Sequence, residues 1–427
     1  MTPNSKASIV TFFICVTAFS QTFSFNPNGE SSEYTISKPI TYLATGSYGF
    51  DFNTARNVTF NKEGFTIAKS TYFSVALPEG NYTITAILKG VKKPCNTTIK
   101  AESRELIIAN QYVAIGKSLE VTFNVHVYHT TIRDTNEEVI LKDREVPKMD
   151  WDKKLTLEFL GSTTVSEIKI TPAHKLTTIY LAGDSTVTNQ DVEPWASWGQ
   201  FLPAYVNHKA VVANYAFSGA TLQSFKNMRR LEKIASQIKK GDYLLIEFGH
   251  NDEKIKGEGN GAYGLYTNTL KEYIAIAREK GAIPILVTPT QRRFFKDNKL
   301  VETHGDFPDA MRKVALTLDV PLIDVTQLTT LMYESWGDSH SRNAFVQYPA
   351  NTFPGQDFNL EDNTHFNGFG ANEIALAVIN DIKKQKVKLG KYLKKNIPVY
   401  DANHPNTISV WNVPPSPRYD NTKPYGN

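Results

Sequence analysis

Apolar and polar residues alternate over short runs in the first part of the chain, from about residue 40 to residue 172. Turn residues, such as Pro-Glu-Gly-Asn at 78–81, separate runs that are rich in β-forming side chains. The runs with this pattern are 72–77, 82–88, 118–133, 155–160 and 165–171. Because the strands are short and no helical periodicity is present, residues 21–173 are predicted to form an antiparallel β-sandwich.

After Pro172 the apolar runs alternate with helix-like segments. Apolar strands are predicted at 177–182, 210–215, 243–248, 283–287 and 321–324, and helix-like segments near 221–239, 265–280, 308–319 and after residue 367. This order predicts an α/β domain over residues 174–390, with a parallel sheet that helices cover on both faces. Ligands of such sheets bind at the carboxyl ends of the strands. The Pro/Asn-rich residues 391–427 are predicted to form an extended tail.

The first twenty residues have the features of a signal peptide. Lys6 is the only charge before the apolar run 7–20, and Ala18 and Ser20 are small residues at the positions that a signal peptidase recognises. Cleavage after residue 20 leaves Gln21 first, and the mature protein is expected to be secreted or periplasmic. A retained anchor is the alternative. Since no later run of about twenty apolar residues exists, no stable membrane insertion is expected.

Composition excludes several other classes of protein. Lysine and arginine total 47 and the acids total 43, a formal charge of +4. With no basic cluster of binding size, no nucleic-acid partner is expected. After cleavage Cys95 is the only cysteine left, which excludes an intramolecular disulfide and a cysteine-ligated metal site.

Polar residues and glycines follow the predicted strands. Ser185 lies in Gly-Asp-Ser-Thr directly after the first strand, Gly219 follows the second, and Asn251 lies in Gly-His-Asn-Asp after the third. Since these strand ends share one edge of the predicted sheet, a hydroxyl, a backbone N–H and an amide are expected there together. Glu247 and His250 form a poor catalytic pair, because odd spacing on a strand directs side chains to opposite faces.

Asp362 and His365 have the spacing at which a carboxylate can orient an imidazole. On a constrained turn, such a carboxylate accepts the Nδ1–H and leaves Nε2 free to take a proton. Asp401 and His404 have the same spacing. The first pair is preferred, because the second lies in the Pro-rich tail without a sheet or helix to position it.

In combination, these blocks resemble the SGNH (GDSL-type) hydrolases and, within them, the bacterial rhamnogalacturonan acetylesterases. Further stretches similar to that subgroup are 49–52, 288–289, 304–310 and 362–366. The resemblance implies an SGNH-hydrolase domain with three α/β/α layers, preceded by a galactose-binding-like β-sandwich. That sandwich would either bind carbohydrate or support the catalytic domain, and support is the preferred role.

The resemblance also implies the role of each site residue. Ser185 would be the nucleophile, His365 the general base and then acid, and Asp362 the group that orients His365. The backbone N–H groups of Ser185 and Gly219, with the side chain of Asn251, would form the oxyanion hole. No metal or organic cofactor is required.

The function implied is that of an exported carbohydrate esterase, which removes acetyl groups from pectic rhamnogalacturonan through an acetyl-serine intermediate. The alternatives are an SGNH esterase for another ester (acetylated xylan, another glycan or a lipid) and a non-catalytic carbohydrate-binding protein. A glycoside hydrolase needs a carboxylate pair that the spacing does not single out. Candidate substrate contacts are His250, Arg292, Arg293, His304 and Trp195, the arginines for uronate carboxylates. The alternatives are a structural hydrogen bond for His250, a solvated or ion-paired face for the arginines and a packing role for Trp195. The sequence does not define the oligomeric state.

Overall fold

The computed structural model describes residues 19–26 and 33–425. The predicted signal peptide, residues 1–20, lies outside this range except for its last two residues. Among the described residues, no helix has the length and apolar character needed to cross a membrane.

The N-terminal part of the chain is rich in strands, as its alternating pattern predicts. Strands β1–β12 are Gln21–Ser24, Tyr34–Thr35, Tyr48–Asp51, Val58–Asn61, Gly64–Ile67, Thr71–Ala76, Gly80–Lys89, Cys95–Ala101, Glu105–Val113, Ser118–Val127, Lys154–Ser162 and Thr164–Pro172. One sheet has the order β10-β7-β12-β1-β2, with β5 paired to β12 and β4 paired to β5. The other has the order β3-β6-β11-β8-β9. The pairings are antiparallel except that between β1 and β2.

Side chains from both sheets contribute to one hydrophobic cluster. Phe23 and Phe65 come from the first sheet, and Phe50 and Phe73 come from the second. Their rings meet edge to face, with 5.5 Å between the centroids of Phe23 and Phe73 and 5.2 Å between those of Phe50 and Phe65. Aromatic pairs in this geometry contribute stability beyond the area that they bury.

A parallel sheet follows at the positions that the sequence predicts. It contains β13 (Thr177–Gly183), β14 (Ala210–Asn214), β15 (Tyr243–Glu247), β16 (Ile283–Val287) and β19 (Leu322–Ile323), in the order β14-β13-β15-β16-β19. Short antiparallel pairs join β17 (Phe295–Lys296) to β18 (Lys299–Leu300) and β20 (Phe345–Tyr348) to β21 (Leu360–Phe366). Alternate residues of β13 belong to two separate hydrophobic clusters. Ile179 and Leu181 belong to one cluster, and Tyr180 and Ala182 belong to the other. Both faces of the sheet are therefore covered.

Helices supply those two layers. They are α1 (Leu222–Asn227), α2 (Arg230–Ala235), α3 (Thr267–Glu279), α4 (Phe307–Thr317), α5 (Val325–Ser341) and α6 (Gly368–Lys384). The single helix predicted near 221–239 is instead two helices, because the chain turns at Arg229, which has a left-handed φ of 61°. Helix α5 was not expected from the sequence pattern.

A buried junction joins the N-terminal sheets to the α/β part. The turn between β8 and β9 inserts into it, and the Nε2 of Gln200 donates to the carbonyl oxygens of Ser103 at 3.0 Å and Arg104 at 3.1 Å. Beside them, the Nδ2 of Asn189 donates to Glu105 at 2.9 Å and to Asp150 at 3.3 Å. The junction therefore encloses two carboxyl groups close to each other.

Glu105→Gln is expected to stabilise the protein at alkaline pH. Burial, and then the charge of Asp150, raises the pKa of Glu105 to about 8. In the unfolded chain this carboxyl ionises near pH 4.3, so the stability that its neutral form contributes is lost as pH rises from about 4 to about 8. Glutamine cannot ionise, and we expect a gain on the order of a few kcal/mol in unfolding free energy at pH 8.5 and little change at pH 4. Denaturant unfolding at both pH values measures this, with the exposed Glu120→Gln as the matched control. Equal effects at both pH values would contradict it.

Candidate active site

Ser185 lies in a tight turn directly after β13. The Oδ1 of Asp184 accepts hydrogen bonds from the backbone N–H of Thr186 at 3.0 Å and from its hydroxyl at 2.9 Å. A Cβ on Gly183 would lie 2.6 Å from the Cγ2 of Val187, so the turn has room only for glycine there. The strand and this turn together fix the position of Ser185 at the carboxyl edge of the sheet.

The structure brings Ser185, His365 and Asp362 together. The Nε2 of His365 lies 2.9 Å from the Oγ of Ser185, and its Nδ1 lies 2.8 Å from the Oδ2 of Asp362. All three side chains are buried. Residues 180 positions apart in the chain therefore form one hydrogen-bonded series of hydroxyl, imidazole and carboxylate.

Asp362 and His365 lie on strand β21, and the prediction that they lie on a turn is wrong. Three-residue spacing on a regular strand would send the two side chains to opposite faces. Here the Oδ1 of Asp362 accepts the backbone N–H groups of Thr364 at 2.7 Å and His365 at 2.9 Å, which turns the carboxylate along its own strand. The pairing of β20 with β21 is also irregular, with a register shift between Phe345 and Gln347.

The ionisation of Asp362 follows from these contacts. Burial alone would raise its pKa, but the hydrogen bond and charge of His365, with two backbone N–H groups, lower the pKa to about 2. The ionised carboxylate has no proton to donate, so the Nδ1 of His365 carries the proton of that bond. Nε2 is then the acceptor for the hydroxyl of Ser185.

Gly219 and Asn251 flank the nucleophile on the neighbouring strand ends. Gly219 has a left-handed φ of 78°, and its loop is tied to the end of β13 by the 3.2 Å bond from the N–H of Phe217 to the carbonyl of Gly183. The Nδ2 of Asn251 donates to the carbonyl of Ala220 at 3.0 Å. One amide hydrogen of Asn251 is therefore used within the protein, and the other is available to a ligand.

His250, Arg292 and His304 form a paired network beside Asp184. The Nδ1 of His250 lies 3.5 Å from the Oδ2 of Asp184, and burial lowers the pKa of His250 to about 4. Glu253 pairs with Arg292 at 2.6 Å and with the Nδ1 of His304 at 2.9 Å. These side chains support the turn of the nucleophile, and the guanidinium of Arg292 is already neutralised.

Arg293 is also engaged within the protein. Its side chain is buried, pairs with Asp338 and donates to the Oδ1 of Asn363 at 2.9 Å. Its backbone N–H donates to the carbonyl of Asn363 at 2.8 Å. Because Asn363 directly follows Asp362, these two bonds from Arg293 stabilise strand β21 next to Asp362. The structure thus gives both arginines acidic partners, which agrees with the ion-paired alternative of the sequence analysis.

The ring of Trp195 contacts the imidazole of His365, and the sequence does not indicate which residues hold Trp195 in this position. Its ring stands perpendicular to that of His365, with 5.9 Å between centroids. From the N-terminal sheets, Arg104 donates to the carbonyl of Trp195 at 2.9 Å and pairs with Glu193 at 2.5 Å. Sequence reasoning missed Arg104, since no motif surrounds it.

Asp401 and His404, the competing pair, also meet at 2.8 Å, but on an exposed part of the tail. Exposed ion pairs of this kind have little energetic effect. In the part of the chain that the structure describes, no group of three or more His, Cys, Asp or Glu side chains is arranged to hold a metal. The arrangement around Ser185 is that of a serine hydroxyl with a base and an orienting acid, which is suited to acyl transfer.

Comparison with known proteins connects this geometry to an esterase family. The model described as the GDSL-like lipase/acylhydrolase family matches residues 181–371. The chain is 41% identical over 218 residues to rhamnogalacturonan acetylesterase RhgT of Bacillus subtilis (strain 168), covering 50% of this chain and 93% of that protein. It is 34% identical over 220 residues to probable rhamnogalacturonan acetylesterase YesY of the same organism, covering 51% and 97%. The crystal structure of Bacillus subtilis protein YxiM is 23% identical, with a TM-score of 0.47, and covers 86% of this chain and 99% of that one.

Proposed function

The chain belongs to the GDSL-like lipase/acylhydrolase family and is similar to rhamnogalacturonan acetylesterases within it. From this premise we propose that it is an exported enzyme that deacetylates pectic rhamnogalacturonan. It is a carboxylic ester hydrolase, and the names of its relatives support an acetyl ester as the bond that it cleaves. The observation that carries the proposed mechanism is the series Ser185–His365–Asp362, with bonds of 2.9 and 2.8 Å.

In the first half of the reaction, the Nε2 of His365 takes the proton of Ser185 as the Oγ attacks the acetyl carbonyl carbon. Asp362 remains ionised and stabilises the imidazolium that forms. The tetrahedral intermediate then collapses, the bond to the sugar oxygen breaks, and that oxygen leaves with the proton from Nε2. The product is acetyl-Ser185.

In the second half, a water molecule takes the place of the sugar. His365 removes one of its protons while the oxygen attacks the acetyl carbon, and the proton returns to the Oγ of Ser185 when the acyl bond breaks. Acetate leaves and the enzyme is restored. A bare hydroxyl is a weak nucleophile at neutral pH, and this base supplies its activation.

The oxyanion of each tetrahedral intermediate needs donors that are already in place. We assign this role to the backbone N–H groups of Ser185 and Gly219 and to the remaining amide hydrogen of Asn251. The existing bond from Asn251 to the carbonyl of Ala220 supports this, because it holds the amide in one orientation before substrate arrives. Donors fixed in this way do not have to reorganise during the reaction.

Asn251→Ala is expected to lower kcat by about 10²–10³-fold with a small change in KM, since the lost bond strengthens in the transition state. Steady-state kinetics on a chromogenic acetate ester measures the effect. Asn260→Ala is the matched control, because the Nδ2 of Asn260 also donates to a backbone carbonyl, that of Lys256, at 2.9 Å. Equal kcat values for Asn251→Ala and the control would remove Asn251 from the oxyanion hole.

We also propose the domain organisation: a signal peptide at 1–20, a galactose-binding-like β-sandwich at 21–173, the catalytic domain at 174–390 and a tail at 391–427. The sandwich is assigned the supporting role. Its turn between β8 and β9 supplies Arg104, which fixes the Trp195 segment against the imidazole, and the carbonyl oxygens that accept from Gln200.

The substrate class is tested by supplying purified protein with acetylated rhamnogalacturonan, acetylated xylan and a short-chain lipid ester, and by following the acid that each releases. The proposal expects the highest kcat/KM on rhamnogalacturonan. A higher kcat/KM on xylan or on the lipid would make that ester the substrate in place of rhamnogalacturonan, and the proposed esterase mechanism would stand. Binding to the polymer without release of acetate would instead favour a carbohydrate-binding protein.

A further inference from the structure

The peptide that joins Ser218 to Gly219 carries one of the donors assigned to the oxyanion hole. Its N–H belongs to Gly219, and within residues 19–26 and 33–425 this N–H donates to no acceptor of the protein. Its carbonyl oxygen belongs to Ser218 and accepts a hydrogen bond from the Nζ of Lys142 at 2.9 Å. Since the C=O and the N–H of a trans peptide point in opposite directions, Lys142 lies on the side of the peptide away from the oxyanion.

The other backbone donor of the oxyanion hole is supported in the same manner, but without a charge. The N–H of Ser185 shares its peptide with the carbonyl of Asp184, and that oxygen accepts the backbone N–H groups of Val187 at 3.2 Å and Thr188 at 3.0 Å. Both peptides therefore have a donor on their carbonyl side. The peptide of Gly219 differs because its donor is a charged side chain from a distant segment.

Lys142 belongs to the segment between β10 and β11, outside the residues 181–371 that match the family model. The backbone N–H of Lys142 donates to Glu145 at 3.1 Å, and Glu145 pairs with the buried Arg230 of α2 at 2.6 Å. This pair attaches the segment to the α/β part of the molecule. The lysine is therefore fixed against the loop that contains Gly219.

The ammonium group of Lys142 lies between two aromatic rings, close to Gly219. It is 4.7 Å from the ring centre of Phe217 and 5.0 Å from that of Tyr425. A Cβ on Gly219 would lie 3.2 Å from the Nζ of Lys142 and 3.0 Å from the Cβ of Tyr425. The absence of a side chain on Gly219 thus lets a positive charge approach the peptide of the N–H donor.

We propose that Lys142 is a positioning residue of the oxyanion hole, which orients the peptide between Ser218 and Gly219 and strengthens its N–H as a donor. A hydrogen bond from a charged donor polarises the peptide, and hydrogen bonds joined in a series reinforce each other. The positive charge also attracts the oxyanion as it develops. Both effects are larger in the transition state than in the ground state, so they raise kcat. The inference rests on the proposed function and adds a contribution to catalysis from the segment between β10 and β11.

Lys142→Met is expected to lower kcat about tenfold on a chromogenic acetate ester, with KM changed by less than about twofold. Loss of a whole oxyanion donor costs about 10²–10³-fold, whereas Lys142 acts through a donor that remains in the variant. Lys142→Arg keeps a charged donor and should retain kcat within about threefold of the wild type. Lys239→Met is the matched control, because the Nζ of Lys239 also donates to a backbone carbonyl, that of His174, at 2.9 Å. Circular dichroism checks the fold of each variant, and Lys142→Gln takes the place of Lys142→Met if the latter does not fold.

The pH profile of kcat separates the charge of Lys142 from a purely structural role. The pKa of Lys142 is lowered by burial, an effect that the charge of Glu145 opposes and that of Arg230 increases. Because the protonated form assists the reaction, wild-type kcat should fall on the alkaline side, at a lower pH than an exposed lysine would require. Lys142→Arg should move this fall to higher pH, and Lys142→Met should lack it. Titration of other groups would persist in all these variants, since they retain the charged and ionisable neighbours Arg144, Glu145, Lys148, Arg230 and Tyr425.

Two results would overturn the positioning role and leave the esterase assignment in place. One is a folded Lys142→Met with the kcat of the wild type. The other is an equal loss of kcat in Lys142→Arg and Lys142→Met with the alkaline fall unchanged, which would show that the lysine only packs against the loop. Failure of the wild type to release acid from any acetate ester would overturn the proposed function, and the inference with it.

Discussion

Replacing Ser185 by alanine is expected to lower kcat by on the order of 10⁴-fold or more while the fold is retained. The substitution keeps the Cβ near the end of β13 and removes only the Oγ, which lies 2.9 Å from the Nε2 of His365. Without this oxygen no acetyl-enzyme can form, and only the oxyanion donors and the base His365 remain to assist direct attack by water. Initial rates on a chromogenic acetate ester, at saturating substrate, measure the loss.

A matched control is Ser236→Ala, which removes a hydroxyl that donates to the carbonyl of Lys233 at the end of α2. It is expected to keep wild-type kcat, and circular dichroism should show both variants folded. If folded Ser185→Ala turned over at the wild-type rate, Ser185 would not be the nucleophile. The mechanism would then need a different oxygen.

Replacing Asp362 by asparagine is expected to lower kcat by about 10⁴-fold, although the two side chains have nearly the same shape. An amide that faces the Nδ1 of His365 can donate to it, which places the single imidazole proton on Nε2. That nitrogen then cannot accept the proton of Ser185. Asparagine also removes the charge that stabilises the imidazolium. The expected result is a fall in kcat with little change in KM.

The chain itself provides the control for this substitution. Asp401 and His404 have the same spacing and the same 2.8 Å contact, but on an exposed part of the tail. Asp401→Asn should therefore leave kcat and KM unchanged within error. A large loss in Asp401→Asn together with an active Asp362→Asn would reverse the choice between the two pairs.

The sequence predicts the parallel sheet well, because each strand is a nearly continuous apolar run between glycines and polar residues. The five predicted strands match β13–β16 and β19 to within a few residues. The carboxyl ends of such strands meet at one edge, so Ser185, Gly219 and Asn251 are placed near one another by topology alone. The alternating runs before residue 172 match β6, β7, β10, β11 and β12, whereas β1–β5, β8 and β9 have no counterpart among the predicted runs.

The local geometry of Asp362 was not predictable in the same way. Two side chains three residues apart on a regular strand are expected on opposite faces of it. The hydrogen bonds that the carboxylate accepts from the N–H groups of Thr364 and His365 explain why it turns back to the imidazole. The pairing of β20 with β21 is irregular over the same residues, between Glu361 and Phe366. Neither strand has a pattern that indicates this irregularity.

Charged side chains were the least predictable from the sequence, because a charge does not indicate its partner. Arg292 and Arg293 follow a strand end, a position that fits either carboxylate ligands or ion-paired residues, and Glu253 and Asp338 reach them from distant parts of the chain. Lys423 is a single lysine in a Pro-rich tail. Its approach to Asp362 depends on the path of residues 414–425 over the Trp195 segment.

The activation of Ser185 by His365 and Asp362 can be tested with a serine-directed fluorophosphonate. The reagent forms a stable bond with an activated hydroxyl, and peptide mass spectrometry locates that bond. We expect one adduct, on Ser185, that forms in parallel with the loss of esterase activity. It should be absent from Ser185→Ala and nearly absent from Asp362→Asn. Loss of activity with the adduct on another residue, or full activity after Ser185 is labelled, would contradict it.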